Sequence, residues 1–288
     1  MNSNPICRNL LAITLMTLMA TLPLLAQAAE EQSDTQQTQE QHAEKDHGDD
    51  GRLYLPSDDA MADLESTLEA AKDNNKLALI ILGANWCHDS RGLASRLQVE
   101  PLKSLVEDNY ETLYVDVGHL SEGRDVIQSL GVPIYYATPT VLIIDPVTGK
   151  LVNEGNRHMW AAADSISMDD SISYFEEIAA IDVTTLPDES SYSAEQAQLM
   201  NDIDEFEQAQ ADRLSEAYLI TGAMFDGTFD QEIWSEVGRF RNSVASDVDQ
   251  LRAEVARRVA DGETDIVLSY PQYPAWSWES EALASDEQ

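Results

Sequence analysis

Two cysteines occur in the 288 residues, Cys7 and Cys87, and only the second stands in a setting that suggests chemistry. It lies in "LALIILGANWCHDSRGLASRL", where an apolar strand-like run ends at Trp86-Cys87 and passes into a helix start. A thiolate is the nucleophile in disulfide exchange. A cysteine at a helix N-terminus faces N–H groups without intrahelical partners and the positive end of the helix dipole, both of which favour the anion. His88 and Arg91 add positive charge nearby, Asp89 opposes them, and Trp86 supplies an apolar wall. Cys87 therefore reads as a reactive thiol, against the default of a small buried hydrophobe.

The other cysteine belongs to a segment that reads as transient. Arg8 precedes an uncharged run, "LLAITLMTLMATLPLLAQA", closing in Ala26-Gln27-Ala28. That pattern predicts a secretory signal peptide over residues 1–28, a mature start near Ala29 and the loss of Cys7. The rival reading, a retained membrane anchor, is disfavoured by Pro23 and the small-residue ending. The expected location is periplasmic or secreted, with no stable membrane insertion after cleavage. An exported chain with one thiol has no internal disulfide, so packing must stabilise it.

Formal net charge is −36, so nucleic acid and anionic membrane surfaces repel the chain and neither is an expected partner. Acidity spread over a whole chain fits solubility in a salty medium better than one acidic site. Residues 29–52, including "EEQSDTQQTQEQHAEKDHGDDG", have almost no apolar side chains and read as a disordered acidic linker. His42, His47, Asp46, Asp49 and Asp50 resemble metal ligands, but Gly48 and Ser57 fall where a calcium loop needs oxygen donors, so no metal site is assigned.

With 43% apolar residues the remainder can build a real core, and its alternating pattern over residues 53–182 predicts an α/β domain. Ser57 is a candidate cap for a helix carrying Met61, Leu64, Leu68 and Ala71 on one face. The strand "LALIILGA", the Cys87 helix, a short helix after Pro101, the strand "ETLYVDV", a helix around "GRDVIQSLGV", and the strands "PTVLIID" and "LVNEG" follow. That order gives two parallel strands joined through a helix and a terminal hairpin. Residues 190–262 predict a helical hairpin. Ile233, Val237, Phe240, Val244, Val248, Leu251, Val255 and Val259 form a stripe of about seven turns. A weaker stripe runs through Leu199, Ile203, Phe206 and Leu214. Such a face needs cover, either from the preceding helix or from a second copy of the chain as a homodimer. Arg239, Arg241, Arg252, Arg257 and Arg258 should pair with acidic residues packed there. The tail, residues 263–288, interleaves Pro271 and Pro274 with Tyr270, Tyr273, Trp276 and Trp278 and should be extended and packed.

An apolar strand, Trp86-Cys87 at a helix start, and Thr138-Pro139-Thr140 entering a strand about fifty residues later resemble the thioredoxin-like family over roughly residues 53–182. The resemblance implies a thioredoxin-like α/β fold with a C-terminal helical extension. It implies a cis Pro139 facing Cys87 and Thr138 presenting its backbone to an extended substrate. Two departures qualify it. Ser90 stands where the family's second cysteine would be, giving Cys87-His88-Asp89-Ser90, and Ile81 stands where dithiol members carry a buried carboxylate. A buried carboxylate with no second thiol to deprotonate would only cost stability.

The resemblance therefore implies a monothiol site, with Cys87 as nucleophile, Ser90, His88 and Trp86 around it, and Thr138 and Pro139 binding substrate. It would form mixed disulfides with cysteine-containing proteins or with glutathione as external thiol, and support exchange or isomerisation without a bound cofactor. Peroxide chemistry through a sulfenic acid has no supporting motif around Cys87. The alternative is a non-catalytic thioredoxin-fold module that binds a polypeptide near Pro139. His119, His158 and Trp160 form no recognisable motif, and pairs such as Asp169-Asp170 and Glu176-Glu177 are uninformative in so acidic a chain.

Overall fold

A computed structural model describes residues 52–156, 159–186 and 189–279. The expected signal peptide with Cys7, residues 29–51 of the expected linker, His158 and residues 280–288 of the tail lie outside the described residues. From Arg52 onward the chain forms one compact unit. The first helix, α1 (Ala60–Asp73), starts at Asp59, whose carboxylate accepts from the amide of Ala62 at 2.9 Å. Asp59 thus displaces Ser57 as the cap, and Ser57 instead accepts from the Asp59 amide and donates to Asp63. A carboxylate in that place also complements the helix dipole, which a hydroxyl does less well.

Strand β1 (Leu77–Gly83) runs between β2 (Tyr110–Asp116), parallel to it, and β3 (Thr140–Ile144), antiparallel to it. A central strand covered on both faces must be apolar throughout, which is why "LALIILG" lacks alternation. Its side chains still divide by parity. Ala78, Ile80 and Leu82 join the core that holds α1, α4 (Arg124–Ser129) and the C-terminal helices. Leu79 and Ile81 face α2 (His88–Arg96), α3 (Leu102–Asn109) and α5 (Met168–Ala179).

The predicted fourth strand, "LVNEG", is reduced to a single antiparallel bridge between Ile144 and Leu151. The cause is Asn153, buried at 1% exposure. Its side-chain amide takes the place of a strand backbone, accepting from the Ile143 amide at 2.8 Å and donating to the Val141 carbonyl at 2.9 Å. The chain then turns into a short 3-10 segment, residues 154–156, instead of continuing the ladder.

Two long helices follow, α6 (Ala194–Ala223) and α7 (Gln231–Ala260), started by Ser193 and Asp230 as caps. Val237, Phe240, Val244, Val248, Leu251 and Val255 of α7 are buried within this chain. α6 offers a broader face than its hydropathy suggests, because Ala211, Ala217, Tyr218, Thr221 and Gly222 are buried beside Leu199, Ile203 and Leu214. The tail completes the cover: Ile266 and Trp276 are buried, and Tyr270 and Tyr273 pack against Phe206. Arg213 donates to the Pro274 carbonyl and lies over the rings of Phe240 and Trp276. Among the described residues no helix is long and apolar enough to cross a membrane.

Arg252 of α7 bonds Asp204 at 2.7 Å and Glu207 at 2.9 Å. Burial works against its charge, but these carboxylates hold the guanidinium above its ordinary value. Arg258 pairs with Glu254 and Glu263, and Arg257 with Asp261. Three of the five arginines of α7, Arg252, Arg257 and Arg258, are therefore matched by carboxylates.

Candidate active site

Cys87 is the N-cap of α2, in extended backbone, with its carbonyl accepting from the Arg91 amide at 3.2 Å. Its side chain makes no capping bond. The thiol instead donates to the Thr138 carbonyl at 3.1 Å, across 51 residues of sequence. Thr138-Pro139 is a cis peptide bond. The structure thus brings Cys87, Thr138 and Pro139 together, with Cys87 half-buried and both loop residues buried. Among the described residues Cys87 is the free cysteine.

The residues flanking Cys87 differ in what they touch. Ser90, one turn into α2, is fully buried, and its hydroxyl has no hydrogen-bond partner. The Tyr54 hydroxyl donates to the Ser90 carbonyl at 3.2 Å, and desolvation holds that phenol far above its ordinary value. Gly83 makes this packing feasible, since a Cβ there would come within 2.6 Å of the Tyr54 ring and 2.8 Å of the Ser90 hydroxyl. Ile81 is completely buried in the same apolar cluster. His88 is exposed, with Nε2 at 3.7 Å from Asp164, and Asp89 accepts from the Asp164 amide at 3.0 Å. Arg91 donates to the Asn85 carbonyl at 2.7 Å. The imidazole and guanidinium next to Cys87 are therefore engaged with other partners.

Trp86 is held at both ends. Its indole N–H donates to the Gly118 carbonyl at 2.7 Å, and its ring meets Phe225 at 4.9 Å and Trp234 at 6.3 Å between centroids. Phe225 also stacks on His119 at 4.4 Å. These ring contacts come from Phe225 in the turn between α6 and α7 and from Trp234 in the first turn of α7, so the helical hairpin reaches the wall of the thiol site. Gly222 at the end of α6 sits so close to the His119 carbonyl that a Cβ there would approach it to 2.1 Å. The hairpin also supports the second loop: the Tyr218 hydroxyl donates to the Tyr135 carbonyl at 2.8 Å, and Tyr136 donates to buried Glu207 at 3.1 Å.

Phe225, Trp234, Tyr54 and Tyr218 carry no sequence signal because each reaches the site from a distant element, and Tyr136, two residues before Thr138, because its partner Glu207 lies on a distant helix. Trp160, weighed as a candidate, is a core residue, fully buried against Tyr174 and Phe175. Among the described residues there is no group of three or more His, Cys, Asp or Glu arranged to hold a metal ion.

Residues 59–146, from the start of α1 to just past β3, match the family described as thioredoxin-like. A solved structure described as the disulphide isomerase from Xylella fastidiosa Temecula1 shares 29% identity, covering 44% of this chain and 98% of that one, with a TM-score of 0.40. No match was found among curated proteins. The chain carries a thioredoxin-like α/β domain, with Cys87 and cis Pro139 at its candidate site, joined to a helical C-terminal region.

Proposed function

We propose that this is an exported monothiol protein, periplasmic or secreted, that engages cysteine-containing partners through Cys87 by thiol–disulfide exchange or isomerisation. The observation that carries the reading is the 3.1 Å contact of the Cys87 thiol with the Thr138 carbonyl, at a helix start and beside cis Pro139. A half-exposed thiol in that position can meet a partner's sulfur, while the fully buried Ser90 hydroxyl offers no second thiol to finish the reaction.

In the exchange step the Cys87 thiolate attacks one sulfur of a partner disulfide. One S–S bond forms as the other breaks, and the departing sulfur leaves as a thiolate with the bonding pair. Release needs another thiolate. If the partner's own thiol attacks its sulfur in the mixed disulfide, Cys87 leaves and the partner's disulfide is rearranged with no net oxidation. If glutathione attacks the Cys87 sulfur instead, the partner's second sulfur leaves as a thiolate and the partner is reduced, and a second glutathione then attacks the glutathione sulfur on Cys87, freeing the Cys87 thiolate and forming oxidised glutathione. Reduction of a disulfide should therefore be weak with a dithiol reductase as sole electron source and should rise when glutathione is added. Robust turnover with no external monothiol would overturn this mechanism.

A further inference from the structure

The Thr138 carbonyl that meets the Cys87 thiol belongs to a loop, residues 134–140, that is buried at every position. Two other carbonyls of this loop have partners of their own. That of Ala137 accepts from the Thr140 hydroxyl at 2.7 Å, and that of Tyr135 from the Tyr218 hydroxyl at 2.8 Å. Between them, the Tyr136 hydroxyl donates to Oε1 of Glu207 on α6 at 3.1 Å. Glu207 is 1% exposed, and its Oε2 accepts from Arg252 of α7 at 2.9 Å. A carboxylate so enclosed is costly to bury, and an apolar side chain would pack the seam of α6 and α7 without that cost. Its use lies at its other end, on the Tyr136 hydroxyl two residues before Thr138.

A carbonyl oxygen accepts from a thiol but turns a lone pair toward a thiolate. The contact at Thr138 therefore favours the protonated sulfur and opposes the helix start, which favours the anion. How firmly the loop is held decides how much of that opposition Cys87 meets. We infer that Tyr136 and Glu207 are positioning residues for the thiol: through them the C-terminal hairpin holds the Thr138 carbonyl against the Cys87 sulfur and restrains formation of the thiolate. The inference rests on Cys87 as the reacting thiol and adds a control exercised from outside the thioredoxin-like domain. The titratable and charged groups near Cys87 are His88, Asp89 and Arg91 on its own helix, Asp164 beside them, the Tyr54 phenol, and His119 with Asp226 beyond Trp86. The substitutions that test the inference change none of these.

The test is the rate at which iodoacetamide alkylates Cys87 in the full chain from acid to alkaline pH, followed by mass on the peptide that carries Cys87. Tyr136→Phe removes the hydroxyl and Glu207→Ala its acceptor. Each should raise the rate on the rising limb of the profile by about threefold, the lower end of what one hydrogen bond contributes, because S–H is a weak donor. The alkaline plateau, where every Cys87 is already ionised, should not move. Glu207→Gln keeps an oxygen that accepts from Tyr136 and should leave the profile in place. Leu199→Ala, which empties buried volume about two turns earlier on α6, should lower the urea midpoint and also leave the profile in place. The inference is overturned if Tyr136→Phe, with wild-type circular dichroism, keeps the unsubstituted profile. It is equally overturned if Glu207→Gln or Leu199→Ala moves the profile as far as Tyr136→Phe does. Either result leaves the exchange reading standing, since alkylation needs no partner disulfide. Should Glu207→Ala not fold, Tyr136→Phe decides alone. A Cys87 that resists alkylation at every pH in the unsubstituted protein overturns both readings together.

Discussion

At the scale of single residues, the site differs from a dithiol centre at two positions whose burial is now defined. Ser90 is fully enclosed one turn from Cys87, and Ile81 is packed among apolar neighbours. Ser90→Cys should therefore form an internal disulfide with Cys87, seen as protection of both thiols from alkylation until reductant is added. Two freely alkylated thiols under oxidising conditions would contradict the helix-start geometry. Cys87, Ser90, Thr138 and Pro139 were legible in the sequence because helix start, turn and strand entry carry local signatures. Engagement of His88 by Asp164 and of Arg91 by the Asn85 carbonyl was not, since each depends on where a loop or turn settles after folding.

At the scale of elements, the succession of strands along the chain and both long helices follow from periodicity, and the exceptions have side-chain causes. Asn153 ends a strand that its neighbours' β-propensity would have continued, because one buried amide satisfies two backbone groups of β3. The breadth of the α6 face was hidden for a different reason: alanine, glycine, threonine and tyrosine give little hydropathy signal yet permit close packing. Gly222 is the sharpest instance. Gly222→Ala would force the end of α6 away from the His119 carbonyl and should cost about 1–3 kcal/mol, as overpacking does, read from the urea midpoint. An unchanged midpoint would show that this approach is not needed to hold the hairpin against the loop that positions Trp86.

At the scale of the whole molecule, the thioredoxin-like part and the helical region share a continuous apolar core, and the hairpin touches both loops of the candidate site. Tyr135, Tyr136 and Tyr218 contribute to this joint, and Tyr54, Tyr110 and Tyr114 pack on the opposite face of the sheet. Burial pushes Tyr114 up to about 12 and raises Tyr54, Tyr110, Tyr135 and Tyr218 as well. Their folded values exceed the unfolded value of about 10, so the stability linked to their protonation is whole below that pH and is lost as pH rises through the folded values. Alkaline titration should show most tyrosinate absorbance appearing together with loss of the near-ultraviolet dichroism. Full ionisation near pH 10 with tertiary signal intact would contradict that packing. The central claim, that Cys87 exchanges with cysteine-containing partners and lacks an internal resolving thiol, is tested most directly by recovering the protein from acid-quenched, alkylated cells that express it. Non-reducing electrophoresis and mass measurement should reveal partner chains bound through Cys87, released by reductant and absent from Cys87→Ser. Recovery of Cys87 wholly as an unmodified thiol, with no reductant-sensitive adduct, would contradict the account.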